Sequence, residues 1–266
     1  MPLRRRRRRS HARRKPRRDW AGGLPMDVLL SIFHRLDHAD VLMSAGRVCR
    51  SWRRAARDEP SLWRRITMRW HESAGDYFVD DGFLAYLDME APSLKSLRLI
   101  YCDLITGESL MASIMAHPLL EELEISLCGN INKDWVGYAR EEISKMKHFR
   151  KNTHFVNCGE PARDVEAEEL ATFMPDLRSL QLFGNVLTNE GLEAILDSCP
   201  NLEYLDIRHC FNVDMNTTLL SKCAGLKTLR LPDDTTDDYE FEIHTPVLIY
   251  ESEDDVWSSD GWAYSD

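Results

Sequence analysis

The sequence predicts an α/β chain in which a small three-helix module is followed by a short, curved solenoid of strand–helix repeats. Three observations support this prediction: a helical spacing of apolar residues between residues 24 and 57, a recurring L-x-x-L-x-L-x-x-N/C pattern after residue 93, and a highly charged segment at each end. We expect a disordered basic arm at residues 1–19, the helical module at 20–66 and about six repeats at 67–232. We expect the acidic tail at 233–266 to be disordered or to form a loose cap.

The composition indicates a folded protein and restricts its class. The chain has 266 residues, of which 43% are hydrophobic and 29% charged, enough to bury a sizeable core. No apolar run approaches the roughly 18 residues of a membrane-spanning helix, and no apolar segment follows the basic start as in a signal peptide. We therefore expect a soluble protein of the nucleus and/or cytoplasm, without a membrane partner. The seven cysteines, an odd number without a C-x-x-C pair, favour reduced thiols.

The formal net charge of −10 conceals two oppositely charged parts. Residues 1–70 hold 20 Lys/Arg and six Asp/Glu, a net +14, whereas the remaining residues hold 14 and 38, a net −24. Residues 1–18 contain eleven Arg/Lys and only one large apolar side chain, Leu3, so we expect a disordered arm. Three interpretations of this arm remain open: nuclear import, which we favour, nucleic-acid binding, and a solvated tail.

The helical module is predicted from two apolar periodicities. The first recurs at i, i+3, i+4 and i+7 and predicts a helix over residues 26–36 through Leu29, Ile32, Phe33 and Leu36. The second runs through residues 41–52, where we expect Gly46 to separate two short helices. Met26, Val28 and Leu30 make the first helix apolar on more sides than a small core requires, which favours burial against a partner.

This part of the sequence resembles an F-box in the order and spacing of its residues. The matching pattern is Leu24-Pro25, Ile32-Phe33, Leu36, Val48-Cys49-Arg50, Trp52 and the trailing Leu62-Trp63. In that family the three-helix motif inserts into a Skp-type adaptor. The resemblance therefore implies adaptor docking, or its support, for Leu24, Pro25, Ile32, Leu36, Val48, Cys49 and Trp52. Periodicity alone leaves open that these residues only form a small helical core.

The repeats are predicted from four good copies of the leucine pattern, one degenerate copy and one truncated copy. The good copies begin at Leu94, Leu120, Leu177 and Leu202, and the truncated copy begins at Leu226. We place the degenerate copy at Phe149, Asn152, His154 and Asn157. Each copy predicts a short strand on the concave side of a solenoid and a returning helix on the convex side, for example over residues 189–199.

Other features of the repeats fit the same architecture. Residues 63–70 are expected to form a first strand that joins the two parts, followed by a convex helix over residues 77–87. Cys102, Cys128 and Cys210 occupy the ninth position of the pattern, where the side chain turns inward and seals the end of the strand. A proline is expected to end four of the convex helices, at Pro92, Pro118, Pro175 and Pro200. The resemblance is to the cysteine-containing leucine-rich repeats of plant F-box proteins.

The concave strands supply the candidate substrate-binding residues. Every second side chain of a strand points away from the core, so these positions are expected to be exposed. The residues expected to contact a substrate are Arg98, Glu124, Gln181, Tyr204, Asp206 and Arg208. The alternative is that a face of mixed charge only keeps the solenoid soluble.

Catalytic, metal and cofactor sites are not expected. The sequence contains no G-x-S-x-G, G-x-x-x-x-G-K-[ST], G-x-G-x-x-G or H-E-x-x-H motif. His148, His154 and Cys158 have no fourth ligand at a recognised spacing, so a basic contact patch over residues 145–158 is favoured over a metal site.

The resemblance implies a non-catalytic function. F-box/leucine-rich-repeat proteins are substrate-recognition subunits of Skp–cullin–F-box (SCF) ubiquitin ligases, so the expected partners are a Skp-type adaptor, through it a cullin and a RING subunit, and an unknown protein substrate destined for degradation. The alternative is a non-degradative nuclear scaffold, or a nucleic-acid-associated protein that uses the Arg-rich arm. A small-molecule sensor is less favoured, because about six repeats leave little room for an enclosed pocket.

Overall fold

The computed structural model describes residues 23–69, 79–131, 140–153 and 164–241. Within these ranges a small helical module leads into a curved sheet of parallel strands that is backed by helices on one side. The predicted α/β architecture is confirmed. The predicted basic arm, together with His154, Asn157 and Cys158, lies outside the described residues. No helix in the described ranges has both the length and the apolar character needed to cross a membrane.

The helical module differs from its prediction at two boundaries. Its elements are α1 (Met26–Phe33), α2 (His38–Asp40), a π-helical turn (Val41–Ala45), α3 (Gly46–Val48), α4 (Arg50–Asp58) and a 3₁₀ turn (Pro60–Trp63). The first helix ends at Phe33 rather than at Leu36, because the amides of Arg35 and Leu36 bond three residues back and tighten the final turn.

The predicted break at Gly46 is wrong, because the chain breaks at Cys49 instead. Gly46 is helical, and its carbonyl accepts a hydrogen bond from Arg53 Nε at 2.9 Å. Cys49 is fully extended, with φ −163° and ψ 175°, and this residue redirects the chain into α4. The redirected helix brings Trp52 against Phe33 in an edge-to-face contact with ring centroids 5.3 Å apart.

The solenoid contains one parallel sheet whose strands follow one another in sequence order. The strands are β1 (Arg65–Arg69), β2 (Ser96–Ile100), β3 (Glu122–Ser126), β4 (His148–Asn152), β5 (Ser179–Phe183), β6 (Tyr204–Asp206) and β7 (Thr228–Arg230). The connecting helices are α5 (Asp81–Glu90), α6 (Gly107–Ala116), α7 (Arg140–Ile143), α8 (Val165–Phe173), α9 (Asn189–Ser198) and α10 (Thr217–Cys223). The first strand and first convex helix therefore exist as predicted, although this helix begins at Asp81.

The strand register aligns the leucines of the repeats into two core columns. One column contains Ile66, Leu97, Leu123, Phe149, Leu180, Leu205 and Leu229. The other contains Met68, Leu99, Ile125, Lys151 and Leu182. The same core cluster includes Leu29 and Phe33 of α1 and extends to Leu219 of α10, so one core runs from the helical module through the repeats.

This register corrects the predicted position of the degenerate repeat. Phe149 pairs with Leu123 and Leu180, so it holds the second position of the pattern and not the first. The first position falls on Met146, which is buried, three residues before the predicted start. The third leucine position is Lys151, so two of the three leucine positions were unrecognisable from the sequence template.

The convex helices begin and end at recognisable signals. Asp80, Thr106 and Asn216 each cap a helix, because their side-chain oxygens accept hydrogen bonds from amides in the first turn at 2.8–3.2 Å. Four helices end where a residue is followed by proline, and the residues at these ends are Ala91, His117, Met174 and Cys199. Their ψ angles of 53–74° lie outside the helical region, which a following proline disfavours.

A left-handed turn follows β2, β3, β5 and β6, and the ninth residue of the pattern comes directly after it. Tyr101, Leu127 and His209 adopt φ angles of 56–62°, and Gly184 adopts 67°. The next residue in three of these turns is a cysteine. As predicted, the thiols of Cys102, Cys128 and Cys210 contact backbone carbonyls at the strand ends, with Cys210 Sγ 2.8 Å from the Leu182 carbonyl.

Candidate protein-binding faces

The helical module exposes apolar side chains that its own core does not use. Leu29 and Phe33 of α1 are buried, whereas Met26 and Val28 of the same helix are 53% and 40% exposed. Leu36 and Val48 are also exposed, at 37% and 50%. We call Pro25, Met26, Val28, Leu36 and Val48 the exposed apolar set. A helix that is apolar on its outer side as well as its inner side is suited to burial against another protein.

The seven residues assigned to adaptor docking fall into two groups. Pro25, Leu36 and Val48 are exposed, whereas Leu24, Ile32, Cys49 and Trp52 are half-buried. Leu24 and Trp52 pack against the core cluster, and Trp52 contacts Phe33. Both groups remain predicted docking residues, but the packing favours direct contact for the exposed group and support for the half-buried one.

The concave face of the sheet presents three parallel columns of side chains. The middle column consists of Thr67, Arg98, Glu124, Arg150, Gln181, Asp206 and Arg230. At the amino ends of the strands, Arg65, His148 and Arg150 contribute to an open cavity of about 410 Å³. At the carboxyl ends, Ile100, Ser126 and Phe183 lie in one row.

Most of the predicted substrate-binding residues are buried, which corrects the expected exposure. Glu124, Gln181, Asp206 and Arg208 are 3%, 7%, 0% and 4% exposed, while Arg98 and Tyr204 are half-buried. Substrate contact by these residues stays a prediction. The alternation of strand side chains correctly predicted which residues form the middle column. It does not predict which neighbouring residues cover them.

Hydrogen bonds between neighbouring repeats account for this burial. Arg98 donates to both carboxylate oxygens of Glu124 at 2.6 and 3.2 Å. Asn152 donates to Ser126 and accepts from Gln181, at 2.6 and 2.8 Å. These bonds hold the middle of the concave face in one arrangement, so that a partner would meet fixed side chains.

The predicted acidic tail begins with an ordered segment that crosses this face. We call residues 233–241 the acidic segment. Its Glu240 carboxylate bridges Arg69 and Arg98, with contacts of 2.8 and 2.7 Å, and its Asp238 bridges Arg208 and Arg230 at 2.6 and 2.8 Å. The tail was expected to be disordered or a loose cap, and up to Phe241 it is instead packed on the concave strands. The rest of the tail lies outside the described residues.

These contacts shift the ionisation of the groups that make them. A hydrogen bond from Arg208 lowers the pKa of Asp238. Burial alone would lower the pKa of Arg98, but bonds and charges of Glu124 and Glu240 outweigh it and raise the pKa. Burial raises the pKa of Tyr239, so its ring enters the face as a neutral phenol. The segment therefore offers two carboxylates with a neutral aromatic side chain between them.

The thiols of the solenoid are poor nucleophiles. Burial raises the pKa of Cys199 to about 11 and that of Cys210 to about 12, which disfavours the reactive thiolate. A hydrogen bond with Cys102 raises the pKa of Cys128 as well. Among the described residues, no cluster of three or more His, Cys, Asp or Glu side chains could hold a metal ion, and His148 lies exposed on β4.

Comparison with known proteins is consistent with these two faces. A family model for F-box-like domains matches residues 21–69, and a model for the leucine-rich repeat matches residues 174–196. The chain is 35% identical to the F-box protein SKIP19 of Arabidopsis thaliana, over 82% of this chain and 78% of that protein. This chain belongs to the F-box/leucine-rich-repeat family. The predicted resemblance is confirmed.

Other relatives of this F-box/leucine-rich-repeat protein have similar or greater length. The putative F-box/LRR-repeat protein 23 of Arabidopsis thaliana is 36% identical over 84% of this chain, which spans only 55% of that relative. A chain in the crystal structure of the yeast Rad7–Elc1 complex is 17% identical, with a TM-score of 0.45. That likeness covers 83% of this chain and 63% of the yeast chain.

Sequence reasoning missed two contributors to the faces of this F-box/leucine-rich-repeat protein. Arg150 is exposed in the middle column of the concave face, and it escaped notice because its repeat was aligned three residues too late. The acidic segment was missed because its partners lie up to 171 residues away. The available signal was the presence of Tyr239 and Phe241 among acidic residues, since aromatic side chains bury a large apolar area when they pack on a surface.

Proposed function

We propose that this chain is the substrate-recognition subunit of an SCF ubiquitin ligase. In this proposal the F-box docks to a Skp-type adaptor, through which a cullin and a RING subunit join the complex. The concave face of the repeats binds a client protein for ubiquitination and proteasomal degradation. The chain itself supplies no catalytic group, and it accelerates transfer by holding the client near the conjugating enzyme.

The exposed apolar set of the F-box is the observation that carries this proposal. Met26, Val28, Leu36 and Val48 together leave a large apolar area in contact with water, although the core of the module is complete without them. Burying one such side chain fully contributes about 1.5–3 kcal/mol. An adaptor that covers the set would therefore gain much of its binding energy from these residues.

Binding to a Skp-type adaptor tests the docking step. Val48→Asp and Met26→Asp should each weaken the adaptor complex by about ten- to a hundredfold in isothermal titration, because each removes about 1.5–3 kcal/mol of apolar burial and adds a charge. Met115→Asp is the matched control, since Met115 is 55% exposed on α6, outside the F-box. Equal affinities of the three variants and the wild type would contradict docking through this face.

Degradation of a client is tested separately from docking. Proteins captured by the wild-type chain in cells should turn over more slowly when Val48→Asp replaces the wild type, while their binding to the repeats persists. If the captured proteins keep the same lifetime in both cases, the chain acts as a scaffold that does not promote degradation. This scaffold is the second candidate function, and it shares the F-box contact.

The Arg-rich arm leads us to propose a nuclear location. Its eleven Arg/Lys within residues 1–18 favour nuclear import over a solvated tail. A fluorescent fusion lacking residues 1–18 should lose nuclear accumulation, whereas the full chain should retain it. Nucleic-acid binding by the arm would instead appear as retention on RNA or DNA that weakens steeply with salt and vanishes with the deletion.

A further inference from the structure

We propose that the concave face recognises an acidic client peptide with aromatic side chains between its carboxylates, and that the acidic segment occupies this site in the free protein. This inference rests on the proposed function, because it names the client chemistry of the same face. Residues 238–241, with the sequence Asp-Tyr-Glu-Phe, supply the recognised pattern.

Four arginines of the concave face contact two of the five carboxylates of the acidic segment. Glu240 lies between Arg69 of β1 and Arg98 of β2, and Asp238 lies between Arg208 and Arg230 near the last two strands. Arginine suits this task because its charge is permanent and its donors form a planar fork that matches a carboxylate. The two arginine pairs therefore match carboxylates two residues apart, as in Asp238 and Glu240.

One of these arginines is held in place before any carboxylate arrives. Arg208 donates through Nε and Nη2 to Asp206, at 2.7–3.2 Å, and Asp206 is completely buried. Its remaining nitrogen, Nη1, donates to Asp238 and to the Thr235 carbonyl, at 2.6 and 2.9 Å. A guanidinium fixed by its own repeat and directed at the incoming chain loses little freedom on binding.

An aromatic and aliphatic surface lies between the arginine pairs. The ring of Tyr239 stacks on Phe183, with centroids 3.9 Å apart and planes 13° apart. Phe241 forms a buried cluster with Ile100 and Leu127, and it meets the edge of Tyr101 at 6.2 Å. The face thus provides two adjoining places for aromatic side chains, each next to an arginine pair.

The left-handed turns supply side chains to this surface at a conformational cost. A non-glycine residue with positive φ is strained because its Cβ lies too close to a backbone carbonyl oxygen, whereas Gly184 adopts this conformation without such strain. Tyr101 and Leu127 carry the strain and contact Phe241, and His209 carries it and packs on Phe183 at 4.7 Å. Strain at two residues that meet the bound segment, and at a third that packs on the Phe183 ring beneath Tyr239, favours a recognition role for their side chains.

The acidic segment is held in a way that another peptide could imitate. Its hydrogen bonds between backbone groups are local, from Asp234 N to the Leu231 carbonyl and from Tyr239 N to the Thr236 carbonyl, and its Thr235 carbonyl also accepts from Arg208. Its contacts with the concave strands are made by side chains, and the side chains of Asp238 and Glu240 remain 53% and 44% exposed. Ion pairs with a carboxylate this exposed to water contribute little to stability.

Two further features favour exchange with a client. The buried hydroxyl of Tyr239 has no hydrogen-bond partner among the described residues, which weakens the hold of this segment on the site. Beyond Glu240, the open cavity of about 410 Å³ has the exposed side chains of His148 and Arg150 in its lining, where a longer acidic peptide would meet them. A client peptide that extends into the cavity would gain contacts that residues 238–241 do not make.

A peptide-binding experiment on the full chain, in complex with the Skp-type adaptor, tests the inference. The probe is a fluorescein-labelled peptide of residues 233–242, DDTTDDYEFE. The chain is opened by the triple change Tyr239→Ser, Glu240→Ser and Phe241→Ser. Fluorescence anisotropy should show the opened chain binding the probe at least about tenfold more tightly than the wild type, because a tethered competitor has been removed. Equal binding would overturn the proposal.

A charge exchange tests whether the arginines select the peptide. A second probe carries lysine in place of Asp238 and Glu240, and the opened chain should reject it. Adding Arg69→Glu and Arg98→Glu to the opened chain should reverse the preference of the site for the two probes. Equal binding of both probes by either chain would overturn selection by charge. Tighter binding of a single-stranded 15-mer oligonucleotide than of the acidic probe would assign the face to nucleic acid and also overturn the proposal.

Two controls keep the test interpretable. Tyr239→Ala alone removes the stacked ring and keeps both carboxylates, so it should bind the probe with intermediate affinity even if the triple change unfolds the chain. If both variants lose the cooperative melting transition and neither binds the probe, the segment is a structural cap and the proposal is overturned. If the chain binds the adaptor but not the probe, this inference is rejected and the proposed function stands. If the chain binds the probe but not the adaptor, the proposed function is rejected and recognition of the acidic peptide stands.

Discussion

Lys151 lies at a position that leucine or isoleucine occupies in neighbouring repeats. Replacing this lysine tests how the core accommodates a buried charge. Lys151 Nζ contacts Glu166 Oε1 of α8 at 2.5 Å, and Glu166 Oε2 accepts a hydrogen bond from Asn185 at 2.9 Å. The side chains of Lys151 and Glu166 are 11% and 10% exposed. The pair therefore joins β4 to the convex helix behind it inside the core.

The size of the effect follows from which partner is removed. Lys151→Leu restores the apolar column of Leu99, Ile125 and Leu182 but leaves the Glu166 carboxylate buried without its cation. Removing one partner of a buried pair costs about 3–5 kcal/mol, whereas replacing both with well-packed groups is neutral or stabilising by about 1–4 kcal/mol. Lys151→Leu with Glu166→Gln should therefore recover at least the wild-type stability, since the side-chain amide oxygen of the glutamine can still accept from Asn185.

Thermal unfolding of both single variants and the double variant measures this coupling. For a chain of this size, about 3–5 kcal/mol corresponds to a fall in Tm of about 6–20 °C for each single change. The double variant should melt within a few degrees of the wild type or above it, which gives a large coupling energy in the double-mutant cycle. A loss of less than about 1 kcal/mol for Lys151→Leu would refute the reasoning, because Glu166 would then have found water or another partner.

Two further predictions concern a helix start and a buried histidine. Gly191→Ala should destabilise the chain by about 1–3 kcal/mol in denaturant unfolding, because the Cβ of the alanine would lie 2.2 Å from Asp164 Oδ1. Gly82→Ala in α5 is the control, and it should be neutral or stabilising because the added Cβ meets only an ordinary 3.4 Å contact. Burial lowers the pKa of His38 below 6.5, so the folded chain binds fewer protons, and stability is complete above pH 6.5 and lost as the pH falls below it. The drop in Tm between pH 7 and pH 5 should shrink in His38→Gln, and an unchanged drop would assign it to other groups.

The sequence determined the fold well because its signals are periodic and local. A leucine in the repeat must be buried between neighbouring strands, so four clear copies were enough to predict the sheet. The prediction was wrong at β4, since Met146, Phe149 and Lys151 fill the leucine positions and a template that counts leucines cannot align them. Burial, and not residue type, defines the repeat there, and the Glu166 carboxylate makes a lysine tolerable.

The candidate site was harder to predict because it depends on pairs that are distant in sequence. Strand alternation placed Arg98, Tyr204 and Asp206 on the concave face, which is a local inference. Their burial is not local, since it comes from neighbouring repeats and from Glu240, which is 142 residues from Arg98. Periodicity also could not predict the break at Cys49. A glycine such as Gly46 can remain inside a helix, and no particular type of side chain is needed for a residue to be extended.

The first strand of the sheet directly follows the F-box, and this continuity fixes the distance from the F-box to each repeat. Trp63 of the 3₁₀ turn donates to the Ala56 carbonyl at 2.7 Å, and β1 begins two residues later, so no linker intervenes. Adjacent strands are about 4.8 Å apart, so β7 lies about 29 Å from β1 along the arc. Under the proposed function, the repeat that binds a client sets the distance between the client and the adaptor. That distance determines which lysines of the client come within reach of the conjugating enzyme.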